Sequence, residues 1–314
     1  MSAINGTNGI ITDNLSLLTN DGFGVSERRL VWLYERSKLL LRDESLMFGE
    51  NRSEDFPALF DSAPIPEDIP NESRNYILAK QSEQALLDKL TVCILAAKEY
   101  IRPRPLLERL LHAAPYRRNG KIAYFRNVYA DAAFRAFGEY LENPTVSYHS
   151  DFNTVCEETY YGRASMCLLP LDSSRDSKLV SFYKLMEKYE LFPVYSCDVT
   201  APEGATTRYA LLAKSMSLPQ RDMRTRENGC LFEFTLATGT GDCISDVLTA
   251  AKLCGLDIYK IDSLPSTYDE GSFTYDLVLS VSSPEELDAF VLFMTLCVPE
   301  YEPLGVYNQI RTEI

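Results

Sequence analysis

The sequence has 314 residues, enough for two or three domains, and its 46% hydrophobic and 24% charged residues are typical of a globular protein. Lys and Arg number 31 and Asp and Glu 45, so the net charge is −14, which argues against nucleic acid or an anionic membrane as a partner. No apolar run reaches the length of a membrane span, and residues 1–14 are too polar for a signal peptide. We therefore expect a cytoplasmic protein.

The first part of the chain is predicted to be a polar leader, 1–24, followed by a helical region, 25–115. An N-cap pattern begins a helix over Ser26–Met47, and the apolar positions of Glu72–Ile101 recur at helical spacing. The proline-rich stretch between them excludes a continuous helix there. A short helix, Pro105–Ala114, completes this region.

The middle segment, 121–215, alternates short apolar strands with amphipathic helices. Strands and helices follow one another as Ile122–Phe125, Tyr129–Gly138, Thr145–His149, Phe152–Tyr161, Ala164–Leu171, Leu179–Lys188, Leu191–Ser196 and Arg208–Ala213. Such alternation predicts a single α/β lobe with a mainly parallel sheet.

The last segment, 228–310, has the order βαββαβ. Cys230–Ala237 alternates as a strand, a glycine turn follows, and a helix ends at Gly255, a favourable residue after a helix C-terminus. Two strands, Asp257–Ser263 and Ser272–Ser282, come next, then a helix from Pro284 and a last strand, Leu304–Ile310. The order predicts a ferredoxin-like α+β unit.

Eight cysteines are present, and none has the CxxC spacing of a zinc or redox site. Several stand singly in apolar runs, among them Cys93, Cys167, Cys254 and Cys297. We interpret them as reduced core thiols and predict neither a metal site nor a cofactor.

The last segment resembles the ACT domain at the end of prephenate dehydratases, on the evidence of KIDSLPS (Lys260–Ser266) and PLGVY (Pro303–Tyr307). The resemblance implies that an amino acid, usually phenylalanine, binds at a dimer interface, so a homodimer formed through this domain is expected. It also implies a ligand site at the glycine turn and at the loop that closes over the ligand, formed by Thr240, Gly241, Asp242, Asp262, Ser263, Leu264 and Pro265. The arginine that the family has in this loop is replaced by Leu264.

The middle segment resembles a prephenate dehydratase in Asp151–Ser174 and in Thr206-Thr207-Arg208-Tyr209. The resemblance implies that Thr207 holds the place of the catalytic threonine and Ser174 that of the serine in the family's Glu-Asn-Ser stretch. The sequence departs from the family's pattern at two places. Phe125–Val128 replaces the family's glycine-rich turn, and only a short segment separates Leu179 from Thr206, too little for the family's second lobe. A cleft with one wall would not desolvate prephenate, so we predict an inactive dehydratase site.

The helices of 25–115 are similar, by their position, to the chorismate mutase fused to some of these dehydratases. The resemblance places Arg36 at an arginine that grips a substrate carboxylate; the alternative is a packing helix pair in which Arg36 is a surface or salt-bridged residue. Two functions therefore remain open. One is a degenerate, ligand-binding or regulatory protein of phenylalanine metabolism that binds an aromatic amino acid or a prephenate- or chorismate-like molecule. The other is an active enzyme of phenylalanine biosynthesis, a mutase rather than a dehydratase.

Overall fold

The computed structural model describes residues 60, 70–100, 106–115, 119–175, 177–219, 229–237, 243–265, 273–282, 284–298 and 301–310. The chain forms two compact units. The first unit comprises 1–106, 245–254 and 285–299, and the second comprises 107–244, 255–284 and 300–314. The predicted polar leader and the predicted helix over Ser26–Met47 lie outside the described residues.

The first unit is helical in its described part. It contains α1 (Asn71–Tyr100), most of α6 (Cys243–Leu253) and α7 (Pro284–Cys297). The thiols of Cys93 and Cys297 are hydrogen-bonded inside this unit, and burial raises the pKa of the Cys93 thiol well above its ordinary value of 9.0. None of the helices in the described ranges combines the length and the apolarity that crossing a bilayer requires.

The second unit is built on strands. Its helices are the short α2 (Leu106–Leu110) together with α3 (Val128–Gly138), α4 (Phe152–Tyr160) and α5 (Val180–Lys188). Its strands are β1 (Asn119–Phe125), β2 (Glu142–His149), β3 (Met166–Ser173), β4 (Ser177–Lys178), β5 (Phe192–Thr200), β6 (Thr206–Ala213), β7 (Gly229–Ala237), β8 (Asp257–Pro265), β9 (Phe273–Val281) and β10 (Tyr301–Ile310).

These strands form one sheet in the order β2-β1-β3-β6-β5-β10-β7-β9-β8, with β4 paired to β3. Strand pairing is parallel at β2–β1–β3 and at β5–β10, and antiparallel at the other junctions. The prediction of a mainly parallel sheet is therefore wrong. The reason is the short turn between Thr200 and Thr206, in which the Ala201 N–H donates to the Ala205 carbonyl at 2.7 Å, because a turn of this length can join only antiparallel strands.

The C-terminal strands have the element order that the sequence predicts. Within the sheet they stand as β10-β7-β9-β8, all antiparallel, which is the arrangement of a ferredoxin-like unit. Strand β10 continues the sheet by pairing in parallel with β5, where Asn308 is opposite Tyr195. Gly305 makes this junction possible, since a Cβ atom there would lie 2.7 Å from the Pro193 side chain.

Apolar clusters cover both faces of the sheet around β1, β3, β5 and β6. On one face α3 packs through Ala133 and Phe137 against Tyr195 and Leu211. On the other face α4 and α5 pack against strand residues that include Cys167, Leu169, Ala210 and Leu212. Helices α3 and α4 therefore lie on opposite faces of the sheet, which fixes the position of the candidate site.

Candidate functional site

A crevice is expected between the carboxyl ends of β1 and β3. The connection from β1 to β2 passes through α3 on one face, whereas the connection from β2 to β3 passes through α4 on the other. Ligands of open α/β sheets bind where the connections diverge in this way, outside the carboxyl ends of the strands. In this chain the two strand ends are Phe125 and Ser173, so the crevice is expected beside residues 126–131 and 172–174.

The two dehydratase-like motifs meet at this position. Ser173 is paired with Thr207 across β3 and β6, and Asp172 is paired with Arg208. The Thr206 N–H donates to Ser174 Oγ at 2.9 Å, and the Ser174 N–H donates to the Thr206 carbonyl at 2.8 Å. The structure therefore brings Ser174 and Thr207, both predicted from the resemblance, to neighbouring positions.

Thr207 and Arg208 belong to opposite faces of the sheet, because side chains alternate along a strand. Thr207 shares its face with Tyr209 and Leu211, which pack in the cluster of α3. Arg208 shares its face with Ala210 and Leu212, which pack in the cluster of α4 and α5. Only Thr207 is therefore on the side of the crevice that α3 borders.

The N-terminus of α3 is capped by the chain itself. Asn127 Oδ1 accepts hydrogen bonds from the Tyr129 N–H at 3.0 Å and the Ala130 N–H at 2.8 Å. The Asp131 N–H donates to the Asn127 carbonyl at 2.9 Å. The Tyr129 and Ala130 N–H groups are the ones that a helix N-terminus would otherwise direct at an anion. An anionic ligand would have to displace the Asn127 side chain to reach them.

Arg126, two residues before this helix, is also engaged. Arg126 Nε lies 3.4 Å from Asp131 Oδ2, and its guanidinium stacks 4.8 Å from the centre of the Tyr148 ring. Tyr124 donates a hydrogen bond to Asp131 Oδ1 at 2.7 Å, and burial followed by this hydrogen bond raises the pKa of the Tyr124 hydroxyl. The start of α3 is therefore bordered by aromatic side chains, of which Tyr148 is 47% exposed, and the charges of Arg126 and Asp131 offset each other.

The face of Arg208 carries a second polar constellation, which we call the ion chain: Asp198, Arg208, Asp172, Lys260 and Asp262. Arg208 Nη1 lies 2.9 Å from Asp172 Oδ2, and Arg208 Nε lies 3.7 Å from Asp198 Oδ1. Lys260 Nζ lies 3.5 Å from Asp172 Oδ2 and 2.6 Å from Asp262 Oδ2. Charges of alternating sign thus run from β5 through β6 and β3 to β8.

Two β-bulges align the centre of the ion chain. The register of β3 shifts between Pro170 and Asp172, and that of β8 shifts between Ile258 and Lys260. Leu171 packs in the cluster of α4 and α5, so strict alternation would turn Asp172 to the opposite face. The extra residue in the bulge re-aims the carboxylate at Arg208.

The polar groups of this face continue on β7 with a buried carboxylate, that of Glu233. Glu233, 1% exposed, accepts hydrogen bonds from the hydroxyls of Tyr307 at 2.6 Å and Tyr183 at 3.1 Å. Burial and then the charge of Glu233 raise the pKa of Tyr307 well above its ordinary value of 10.0, so Tyr307 remains a hydrogen-bond donor. Glu233 was not predicted from the sequence, where the available signal was a glutamate flanked by two phenylalanines in an otherwise apolar strand.

The remaining predicted site residues divide into two groups. Arg36, Thr240, Gly241 and Asp242 lie outside the described residues, so the mutase site and the glycine-turn site stay predictions. Asp262, Ser263, Leu264 and Pro265 belong to β8, where the backbone pairing with β9 extends to Pro265 opposite Phe273. They therefore form a strand rather than a loop in this structure, and the Asp262 carboxylate is occupied by Lys260.

No family model matches the sequence, and no curated protein matches it. The structure is similar to that of prephenate dehydratase from Streptococcus mutans, with a TM-score of 0.50 and 17% identity over 61% of this chain and 99% of that chain. It also matches a prephenate dehydratase in complex with L-Phe from Arthrobacter aurescens, with a TM-score of 0.46 and 12% identity over 60% of this chain and 89% of that chain. A third match, with a TM-score of 0.45 and 18% identity, is GqqA, described as a novel type of quorum quenching acylase; it covers 60% of this chain and 94% of that chain.

The likeness to the Streptococcus mutans structure shows the fold of this chain, and identity at this level does not extend to activity. The chain thus shares a prephenate dehydratase-like fold, and what it does with that fold has to be argued from the site.

Proposed function

We propose that this protein is a non-catalytic relative of prephenate dehydratases that binds a small amino-acid-type ligand. The shared fold and the adjacency of the Asp172–Ser174 and Thr206–Arg208 segments support the relationship. The state of the crevice supports the loss of catalysis.

The observation that carries the proposal is the capping of α3 by Asn127. Prephenate is a dicarboxylate, and its dehydration needs preorganised donors and cations that are free to hold the substrate. In this crevice the Tyr129 and Ala130 N–H groups bond to Asn127, and Arg126 pairs with Asp131. Each donor would have to break an existing contact before it could hold the substrate.

Arg208 does not replace those donors. Its guanidinium is almost buried and lies between the carboxylates of Asp172 and Asp198 on the other face of the sheet. Arg208 contacts two carboxylates and Lys260 contacts two, so an anionic substrate on that face would have to compete with these carboxylates for either cation.

The C-terminal segment supports the ligand-binding and assembly part of the proposal. Its ferredoxin-like strand order agrees with the ACT-like sequence pattern, and the resemblance assigns an amino acid as ligand and a homodimer as the assembly. Strand β8 is the edge of the sheet, with Ile258 at 49% and Ile261 at 40% exposure. A second copy that pairs with this edge would cover these side chains.

Isothermal titration calorimetry with phenylalanine, tyrosine and tryptophan tests the ligand. Because the family's loop arginine is missing, we expect weak binding with a Kd of about 0.1–1 mM, equivalent to roughly 4–5.5 kcal/mol. Asp242→Asn is the matched variant, and Asp257→Asn, at the start of β8, is its control. If none of the three amino acids gives heat, the ligand part of the proposal is wrong. A separate assay with prephenate tests the loss of catalysis.

A further inference from the structure

Lys260 connects two strands that are not neighbours in the sheet. We propose that Lys260 is a releasable latch: its ammonium group, held by Asp172 and Asp262, closes edge strand β8 over the face of Arg208 and Glu233. This inference goes beyond the proposed function and does not depend on it.

Strand β8 is attached to the rest of the unit asymmetrically. Its backbone is paired with β9 along one side, and no other described strand pairs with its opposite side. Asp172 is on β3, which is separated from β8 by five strands in the order of the sheet. Contact between Lys260 and Asp172 therefore requires the sheet to curl until its far strand returns over β3.

Side-chain contacts connect β8 to strands other than β9. Besides the Lys260–Asp172 contact of 3.5 Å, the Tyr259 hydroxyl accepts a hydrogen bond from Gln309 Nε2 at 3.0 Å. The Arg208 guanidinium lies 5.5 Å from the centre of the Tyr259 ring. Three adjacent contacts thus converge on residues 259 and 260, so one local movement would release them together.

The latch is reachable from solvent, whereas the groups beneath it are not. The Lys260 side chain is 27% exposed, and the Arg208 side chain is 9% exposed. Ser196, two residues before Asp198 on the same face, is fully buried, and its hydroxyl has no hydrogen-bond partner among the described residues. Release of β8 would admit water or a polar ligand to Ser196, Arg208 and the tyrosine-bound Glu233.

Hydrogen exchange of the β8 and β9 amides measures the latch directly. In Lys260→Met the side chain keeps its length and loses its charge, and we expect these amides to exchange about tenfold faster or more, because a charged hydrogen bond is lost. Lys80→Met removes the lysine of an exposed ion pair with Glu83 and should leave β8 unchanged. Unchanged exchange of β8 in Lys260→Met would overturn the proposal.

Chemical rescue separates a latch from general loosening of the fold. In Lys260→Ala, ethylammonium chloride should restore slow exchange of β8, since its N–H groups can occupy the place between Asp172 and Asp262. Tetramethylammonium chloride at the same ionic strength has no N–H donor and should not restore it. Equal effects of the two salts would contradict a specific ammonium position, and with it the latch.

Discussion

Arg208 Nη1 lies 2.9 Å from Asp172 Oδ2, and both side chains are almost completely buried, at 9% and 11% exposure. The pair joins the two segments whose sequences resemble a dehydratase, and it does so on the face of the sheet opposite Thr207. In this chain Asp172 and Arg208 are the centre of the ion chain.

Removal of Arg208 should destabilise the fold strongly. Arg208→Met leaves the buried Asp172 carboxylate without its closest cation, and we expect a loss of about 3–5 kcal/mol in the free energy of unfolding. Urea denaturation monitored by circular dichroism measures it. Arg163→Met, which breaks an exposed contact of 2.7 Å with Glu158, should cost less than about 1 kcal/mol. If both variants lose the same free energy of unfolding, Arg208 stabilises the fold no more than an exposed ion pair does, and the prediction is wrong.

Asn127 should contribute as a helix cap. We expect Asn127→Ala to lower the free energy of unfolding by about 1 kcal/mol, because the Tyr129 and Ala130 N–H groups lose their acceptor. Asn127→Ser keeps an oxygen at the cap and should lose only a small part of that amount. Thermal denaturation of the two variants compares them, and an equally unstable Asn127→Ser would exclude the capping role.

Asp151 should make part of the stability depend on acid pH. Hydrogen bonds from the Thr154 N–H at 2.8 Å and the Thr154 hydroxyl at 2.9 Å lower the pKa of Asp151 below its usual 3.8. Because the folded pKa is depressed, its contribution is complete above the unfolded pKa and is lost as the pH falls through the folded pKa. Wild type and Asp151→Asn should therefore differ in urea midpoint at pH 7 and converge near pH 2. A constant difference across that range would show that the charge of Asp151 is irrelevant.

The core thiols should be unreactive in the native protein. Burial raises the pKa of Cys197 to about 12, and burial followed by the hydrogen bond with Cys156 raises that of Cys167 well above its ordinary value of 9.0. Iodoacetamide at pH 8 should leave both cysteines unmodified in the native state and modify them in ~6 M urea, where the thiols have ordinary pKa values. Peptide mass spectrometry reads the sites, and rapid native labelling of Cys197 would contradict the packing described for β5.

The positions of most strands and helices could be predicted from the sequence, because hydrophobic periodicity and the positions of glycine and proline depend on local structure. The direction of β6 was predictable in principle: Pro202 and Gly204 mark a tight turn, and a tight turn forces antiparallel pairing. The ion chain was not predictable. Asp172 and Lys260 lie far apart in the sequence, and their contact depends on two bulges and on the curl of the sheet.

The candidate site could be predicted only in part. Ser174 and Thr207 each belong to a short run of consecutive residues that resembles a dehydratase motif, and the pairing of β3 with β6 brings the two runs together. The role of Asn127 at this site could not be predicted, since an asparagine before a helix is an ordinary cap in any protein. Only the structure shows that its side chain accepts hydrogen bonds from the Tyr129 and Ala130 N–H groups beside the Ser174 and Thr207 segments.

An assay of prephenate conversion to phenylpyruvate tests the central claim most directly. The Streptococcus mutans prephenate dehydratase, measured alongside, shows that the assay detects turnover. We predict that the purified protein gives no rate above that of prephenate alone, and that Thr207→Ala and Ser174→Ala leave this result unchanged. Prephenate turnover that Thr207→Ala abolishes would contradict the account, because it would show that the crevice binds and transforms its substrate despite the Asn127 cap.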